Sequence, residues 1–141
     1  VAADEFIIVP RLPLDASAGP GAFSAEEISF DSFRFSRRWL REMGLEGADL
    51  TAIRVEGDSM EPTLKESDTV LINKNANAIG TGGGIFAINW HDMSMVKRLQ
   101  MKPQTDEIII KSDNPNYDSM VVKPNEIQIE GKVIWYGREL R

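Results

Sequence analysis

Along most of this chain the apolar residues come in brief runs bounded by turn-forming residues, and not at the three- and four-residue spacing of long amphipathic helices. From Thr51 onward the pattern predicts strands over residues 51–55, 69–73, 85–89, 94–100, 107–111, 127–130 and 132–136. Polar clusters at residues 73–77, at His91-Asp92 and at residues 112–116 read as the turns between them. One helix stands out earlier, where Trp39, Leu40 and Met43 fall on one face between a Ser36 N-cap and a Gly44 stop. Ser24 and Glu27 have the spacing of a capping box, but the β-branched and aromatic residues after them do not continue as a helix. A short apolar run at residues 6–9 gives way to Pro10, Pro13 and the small-residue stretch 15–21, which reads as an exposed arm. The sum is a mainly β domain of twisted, mostly antiparallel sheet with one short helix.

Composition narrows what such a domain can do. With 141 residues, 42% of them hydrophobic, the chain can bury one core without staples. There is no Cys, which removes thiol catalysis, disulfides and thiolate metal sites. The single histidine, His91, lies in a predicted turn, so neither a His-based triad nor a two-His metal site has a foundation, and no metal or cofactor is expected. A formal net charge of -6 argues against this chain gripping nucleic-acid phosphates by itself. No apolar run approaches the ~20 residues that cross a bilayer, and no signal-peptide core is visible, so no membrane partner and a cytoplasmic location are expected. The first residue is Val1 and not Met, which leads to the expectation that further sequence lies upstream.

Two segments invite chemical readings. Gly80-Thr81-Gly82-Gly83-Gly84 is glycine-rich, but the residues after it look like a strand and no Lys-Ser/Thr pair follows, so it reads as a flexible hairpin connection and not as a phosphate loop. In Gly57-Asp58-Ser59-Met60-Glu61-Pro62-Thr63-Leu64, a turn at Gly57 presents Ser59 at the end of a strand, and Pro62 stops ordinary pairing. Backbone N–H groups at Asp58 and Ser59 are then placed to face a developing oxyanion. A serine hydroxyl near neutral pH needs a base, and a lysine held neutral is the candidate. Strand alternation puts Lys97 on one face with Met95 and Leu99, among apolar neighbours that favour the uncharged amine. The bland readings are an Asp-Ser turn and a lysine that snorkels to solvent at a sheet edge. A Ser-x-x-Lys arrangement does not apply, because the third residue after Ser59 is Pro62.

The segments 55–64 and Met95-Val96-Lys97-Arg98-Leu99, with Ser and Lys 38 residues apart, resemble the Ser and Lys motifs of the LexA, phage repressor and UmuD group, one branch of a larger class that also contains signal peptidase. Ser112-Asp113-Asn114-Pro115-Asn116-Tyr117 and the terminal stretch 129–138 are similar to repressor C-terminal domains as well. The resemblance implies the LexA/signal-peptidase-like fold, attack by Ser59 with Lys97 as general base, and self-cleavage in the arm. Family members cut between a small residue and glycine, and Ala18-Gly19 matches, 41 residues before Ser59. Pro20 is a departure, since it restricts Gly19 and removes one backbone donor. The implied organisation is an arm or interdomain linker over residues 1–22 and a peptidase-like dimerisation domain over residues 23–141. The implied partners are a second copy, operator DNA through an N-terminal helix-turn-helix domain absent from this chain, and a RecA–single-stranded-DNA filament that stimulates cleavage. The alternative is a non-cleaving repressor domain for oligomerisation or inducer binding. Signal peptidase fits less well without a membrane anchor, and a UmuD-like polymerase accessory subunit fits less well with the repressor-like C-terminus and arm. The apolar strand residues Val133, Ile134 and Trp135 are the expected pairing surface of a homodimer.

Overall fold

The computed structural model describes residues 6–12 and 31–140; the expected arm at residues 15–21, the Ala18–Gly19 bond and the Ser24/Glu27 box lie outside them. Nine strands form one sheet. In chain order they are β1 (Phe6–Leu12), β2 (Asp31–Ser36), β3 (Leu50–Arg54), β4 (Thr69–Asn73), β5 (Gly84–Trp90), β6 (Met93–Met101), β7 (Ile108–Lys111), β8 (Met120–Val122) and β9 (Ile127–Gly137). Across the sheet their order is β2-β1-β3-β4-β9-β5-β6-β7-β8. All pairings between these strands are antiparallel except β1 with β3, so the domain is mainly β with a mostly antiparallel sheet and, among the described residues, one short α-helix.

The helix, α1 (Arg37–Glu42), is bounded as its sequence predicts: the Ser36 hydroxyl accepts from the Trp39 N–H, and Gly44 adopts φ 74° just past the C-cap. The Gly44 and Leu45 N–H groups donate to the Arg41 and Leu40 carbonyls at 3.0 and 2.8 Å, the pair of bonds that closes a Schellman end. The buried face differs in one residue. Leu40 is buried, but Met43 is 40% exposed, because the helix ends one residue before it and turns it away from the core. The β2 strand was hidden in the sequence by its polar residues. Phe33 and Phe35 alternate with them, and Phe35 stacks on Trp39 and meets Trp135 edge-on, both at 5.5 Å between ring centres.

Two further expectations need correction at the centre of the sheet. The segments 127–130 and 132–136 are one strand, β9, which pairs with β4 on one side and β5 on the other. Register shifts opposite Leu71/Ile72 and Ala87/Ile88 break the alternation that a single strand would otherwise show. Because β9 separates β4 from β5, the glycine-rich stretch 80–84 does not close a hairpin between paired strands; its Gly83 N–H donates back to the Gly80 carbonyl at 3.0 Å in a turn that leads into β5. The true hairpin is β5–β6, whose exposed two-residue turn places His91 and Asp92 at φ 50° and 62°. Val133 packs against the core cluster of Ile53, Val70 and Ile72, while Ile134 and Trp135 pack against that of Phe35, Leu40 and Leu71. These three residues are partly buried, each with a side packed against a core cluster.

Gly131 marks the tightest point of β9. A Cβ there would lie 2.6 Å from both the Asn73 carbonyl oxygen and Ile72 Cγ2. Gly131→Val should cost about 1–3 kcal/mol in urea unfolding, as overpacked core positions do. Gly82→Ala, with no atom within 4 Å of the new methyl, should change stability by less than about 0.5 kcal/mol.

Candidate active site

The loop between β3 and β4 is closed at its neck by two backbone bonds, Val55 N–H to the Asp68 carbonyl and Ser67 N–H to the Val55 carbonyl, each 2.8 Å. Within it Met60 and Leu64 are driven into the core, 2% and 1% exposed, which pins a tight turn that carries Ser59 at its outer side. Gly57 enters that turn at φ 78°, a conformation costly to other residues. Ser59 is thus held on a rigid support while remaining half-buried at the surface.

Lys97 comes from the middle of β6. As alternation predicts, it stands between Met95 and Leu99, which pack in the cluster of Phe86 and Ile110. Burial pushes its amine below the usual lysine range. Ser59 and Lys97 line one groove of about 250 Å³, with Val55, Met60, Ser94 and Met95 among its walls. The lysine's hydrogen bond runs to Ser112 Oγ at 2.7 Å, and its Nζ lies 5.7 Å from the centre of the Tyr117 ring.

The segment after β7 joins the two halves of this groove. Asn114 donates from its side chain to the Asp58 carbonyl and from its backbone N–H to the Ser59 carbonyl, both at 3.0 Å. Tyr117 donates its phenol to the Asp58 carboxylate at 2.5 Å. Asp113 takes the Thr63 hydroxyl at 2.6 Å on one side and a two-pronged Arg98 guanidinium at 2.7 and 2.9 Å on the other. The Arg98 hydrogen bonds outweigh the effect of burial and, with help from Thr63 and Lys111, hold the Asp113 carboxyl below the usual carboxylate range. Ser112, bonded to Lys97, completes a set of contacts from four residues of this segment, Ser112, Asp113, Asn114 and Tyr117, to the serine loop and the lysine strand.

A second ion pair secures the base of the loop. The Asp68 side chain is fully buried and receives Arg138 Nε and Nη2 at 2.8 Å each, plus the Lys65 N–H at 2.8 Å. Burial alone would raise this carboxyl; the Arg138 and Lys65 hydrogen bonds prevail and lower it. A larger cavity, about 330 Å³, opens beside this pair between Arg54, Lys65 and Glu139, and neither Ser59 nor Lys97 reaches it.

The structure thus brings Ser59, Asp58 and Lys97 together, while Ala18 and Gly19 lie outside the described residues. In the sequence residues 112–117 stand out only as a motif, and nothing there singles out Thr63, Ser94 or Arg138. Their partners lie 50 to 70 residues away in the chain for Thr63 and Arg138, a distance at which no periodicity signals contact. Among the described residues no group of three or more His, Cys, Asp or Glu is arranged to hold a metal, and no helix is long and apolar enough to cross a membrane.

A mainly β domain with this groove falls into a recognised class: the chain belongs to the peptidase S24-like family, whose profile matches residues 10–134, the family of LexA and phage-repressor C-terminal domains. Among individual proteins, it is 31% identical over 137 residues to the repressor protein CI of Enterobacteria phage phi80, covering 95% of this chain and 57% of that protein. It is 28% identical over 127 residues to the 26 kDa repressor protein of Escherichia phage HK022, covering 87% and 53%. The HTH-type transcriptional regulator PrtR of Pseudomonas aeruginosa is 28% identical over 137 residues, covering 90% and 53%. The chain spans about half the length of these relatives.

The Asp68–Arg138 pair generates a stability prediction with a definite sign. Arg138→Leu leaves a buried carboxylate without its cation and should lower stability at neutral pH. Since the Asp68 carboxyl is lowered by folding, its contribution is present above the ordinary carboxylate pKa and lost as pH falls through the lowered one. Asp68→Asn should therefore be less stable than wild type near pH 7, with a flatter decline toward acid, as read by urea unfolding across pH.

Proposed function

We propose that this chain is the dimerising, self-cleaving domain of a transcriptional repressor, in which Ser59 is the nucleophile, Lys97 the general base and Ala18–Gly19 the bond that is cut. The observation that carries this reading is the shared groove: a serine on a pinned turn and a lysine depressed by burial line the same walls. Family membership and the repressors among its relatives support the regulatory setting.

In this reaction the neutral Lys97 amine takes the Ser59 proton as Oγ attacks the Ala18 carbonyl carbon. The Asp58 and Ser59 backbone N–H groups, which donate to no other backbone group among the described residues, receive the oxyanion. When the Ala18–Gly19 bond breaks, Lys97 returns the proton to the Gly19 nitrogen, and it then activates the water that hydrolyses the acyl-serine. Ser112, which accepts from the charged lysine at 2.7 Å, keeps the amine in place between these steps. Tethering of the arm to the domain supplies the substrate at high effective concentration. Cleavage would part a DNA-binding half from the unit that pairs it, and the loss of paired readers would end repression. A RecA–single-stranded-DNA filament is the proposed stimulus, and a second copy of the chain the proposed dimer partner.

Only uncharged Lys97 accepts the proton, so self-cleavage should quicken by about tenfold per pH unit below the lowered lysine pKa and level off above it. Mass spectrometry over hours should show fragments ending at Ala18 and beginning at Gly19. Ser59→Ala should stay whole at every pH that keeps it folded, Lys97→Ala should lose the pH acceleration, and Gly19→Glu should block the cut with the catalytic pair intact. A wild-type chain that remains intact at high pH and with activated RecA filament would leave the non-cleaving oligomerisation domain as the function.

A further inference from the structure

Ser94 is the second residue of β6, three residues before Lys97, and lines the same groove as Ser59. Its hydroxyl is buried and has no hydrogen-bond partner among the described residues. A buried polar group left unpaired is destabilising, and most such groups in folded proteins find a partner. The neighbouring residues do not explain the exception by shape: Val96, on the same face of the strand, meets the core cluster of Met60 and Val55 with an ordinary apolar side chain. The other unpaired buried atom, Trp90 Nε1, belongs to a residue outside the groove lining, so the two are separate cases.

The strand edge beside Ser94 is informative as well. β5 pairs with one side of β6 from Met93 to Leu99, but β7 pairs on the other side only from Arg98 onward. Among the described residues, 94–97 have no strand partner on that side, next to Ser59, and such an edge is read by an extended peptide through its main chain. A serine has one side-chain torsion with three staggered positions, and here rotation toward the groove breaks no hydrogen bond.

Resting on the self-cleavage reading above, we propose that Ser94 is a substrate-binding residue, whose hydroxyl hydrogen-bonds the main chain of the extended peptide lying across Ser59. The unpaired group is the half of a bond that the bound peptide completes, so its cost in the free domain is recovered when the peptide docks. Main-chain recognition suits a site whose substrate side chains are small.

The test is self-cleavage of the full chain in wild type, Ser94→Ala and Ser94→Thr, with rate against pH and thermal unfolding measured on each. Loss of one such hydrogen bond should slow Ser94→Ala by about three- to tenfold on the high-pH plateau. The pH midpoint should not move, because Ser94 does not bond Lys97, and the unfolding temperature should stay level or rise, because an unpaired hydroxyl has been removed. Ser94→Thr, which keeps the hydroxyl, should regain most of the rate. A Ser94→Ala chain that cuts at the wild-type rate, a slowing matched by lost stability, or equal losses in both variants would overturn the proposal. A wild-type chain that never cuts would overturn the self-cleavage reading itself, and this inference with it.

Discussion

The groove depends on one constraint: the segment Ser112 to Tyr117 is bonded at the same time to the loop of Ser59, through Asp113, Asn114 and Tyr117, and to the strand of Lys97, through Ser112 and Asp113. Those two elements are 38 residues apart in the chain and are not neighbours in the sheet, since β9 and β5 lie between β4 and β6. Without a third element their separation would be set only by loose packing of a loop. Asp113 removes that freedom by taking Thr63 and Arg98 together, and Arg98 is the residue next to Lys97. Charged two-pronged bonds of this type are stronger and more directional than neutral ones. Asn114 fixes the backbone on either side of the Asp58–Ser59 peptide, so the turn is held at its polar end as firmly as Met60 and Leu64 hold it at its apolar end.

The same arrangement explains how a lysine is kept in an unfavourable place. Burial of Lys97 works against its charge, and a solitary amine among Met95, Leu99 and Phe86 would gain by escaping to solvent. Ser112 and the Tyr117 ring retain it. The stability to tolerate this comes from elsewhere in the domain, including the aromatic packing of Phe35, Trp39 and Trp135 and the fully buried Asp68 with its arginine. Such a division, with a strained polar site on an over-determined scaffold, is common where function needs a group away from its preferred state.

What the sequence revealed and what it hid follow a physical line. Local signals were legible: the Ser36 cap, the Gly44 stop, the His91-Asp92 turn and the alternation around Lys97 all depend on residues a few positions apart. The β2 strand was obscured because four of its six residues are polar, leaving only Phe33 and Phe35 as an apolar signal. β9 was read as two strands because a glycine in a strand resembles a turn, whereas Gly131 is there for a close backbone approach. Nothing local reveals that Val133 packs against a different core cluster from Ile134 and Trp135, because the strand that carries them is bulged. Of the site, Ser59 and Lys97 were visible by motif and alternation, but the clamp between them was not, as its bonds span fifty residues or more for Thr63, Asn114 and Tyr117 or join through Asp113.

The central claim is that this clamp holds Lys97 in a groove where its amine loses its charge more easily than an ordinary lysine. The most direct measurement is the titration of each lysine by nuclear magnetic resonance in an intact, Ser59→Ala chain labelled at the lysine side chains, with Lys97→Met to assign the signal. One resonance, absent from the Lys97→Met spectrum, should titrate clearly below the ordinary range near 10.5, and it should move back toward that range when Asp113→Ala releases the strand from the loop. If every lysine titrates in the ordinary range, or if the Lys97 signal is unaffected by loss of Asp113, the account of a groove built around a depressed lysine is contradicted.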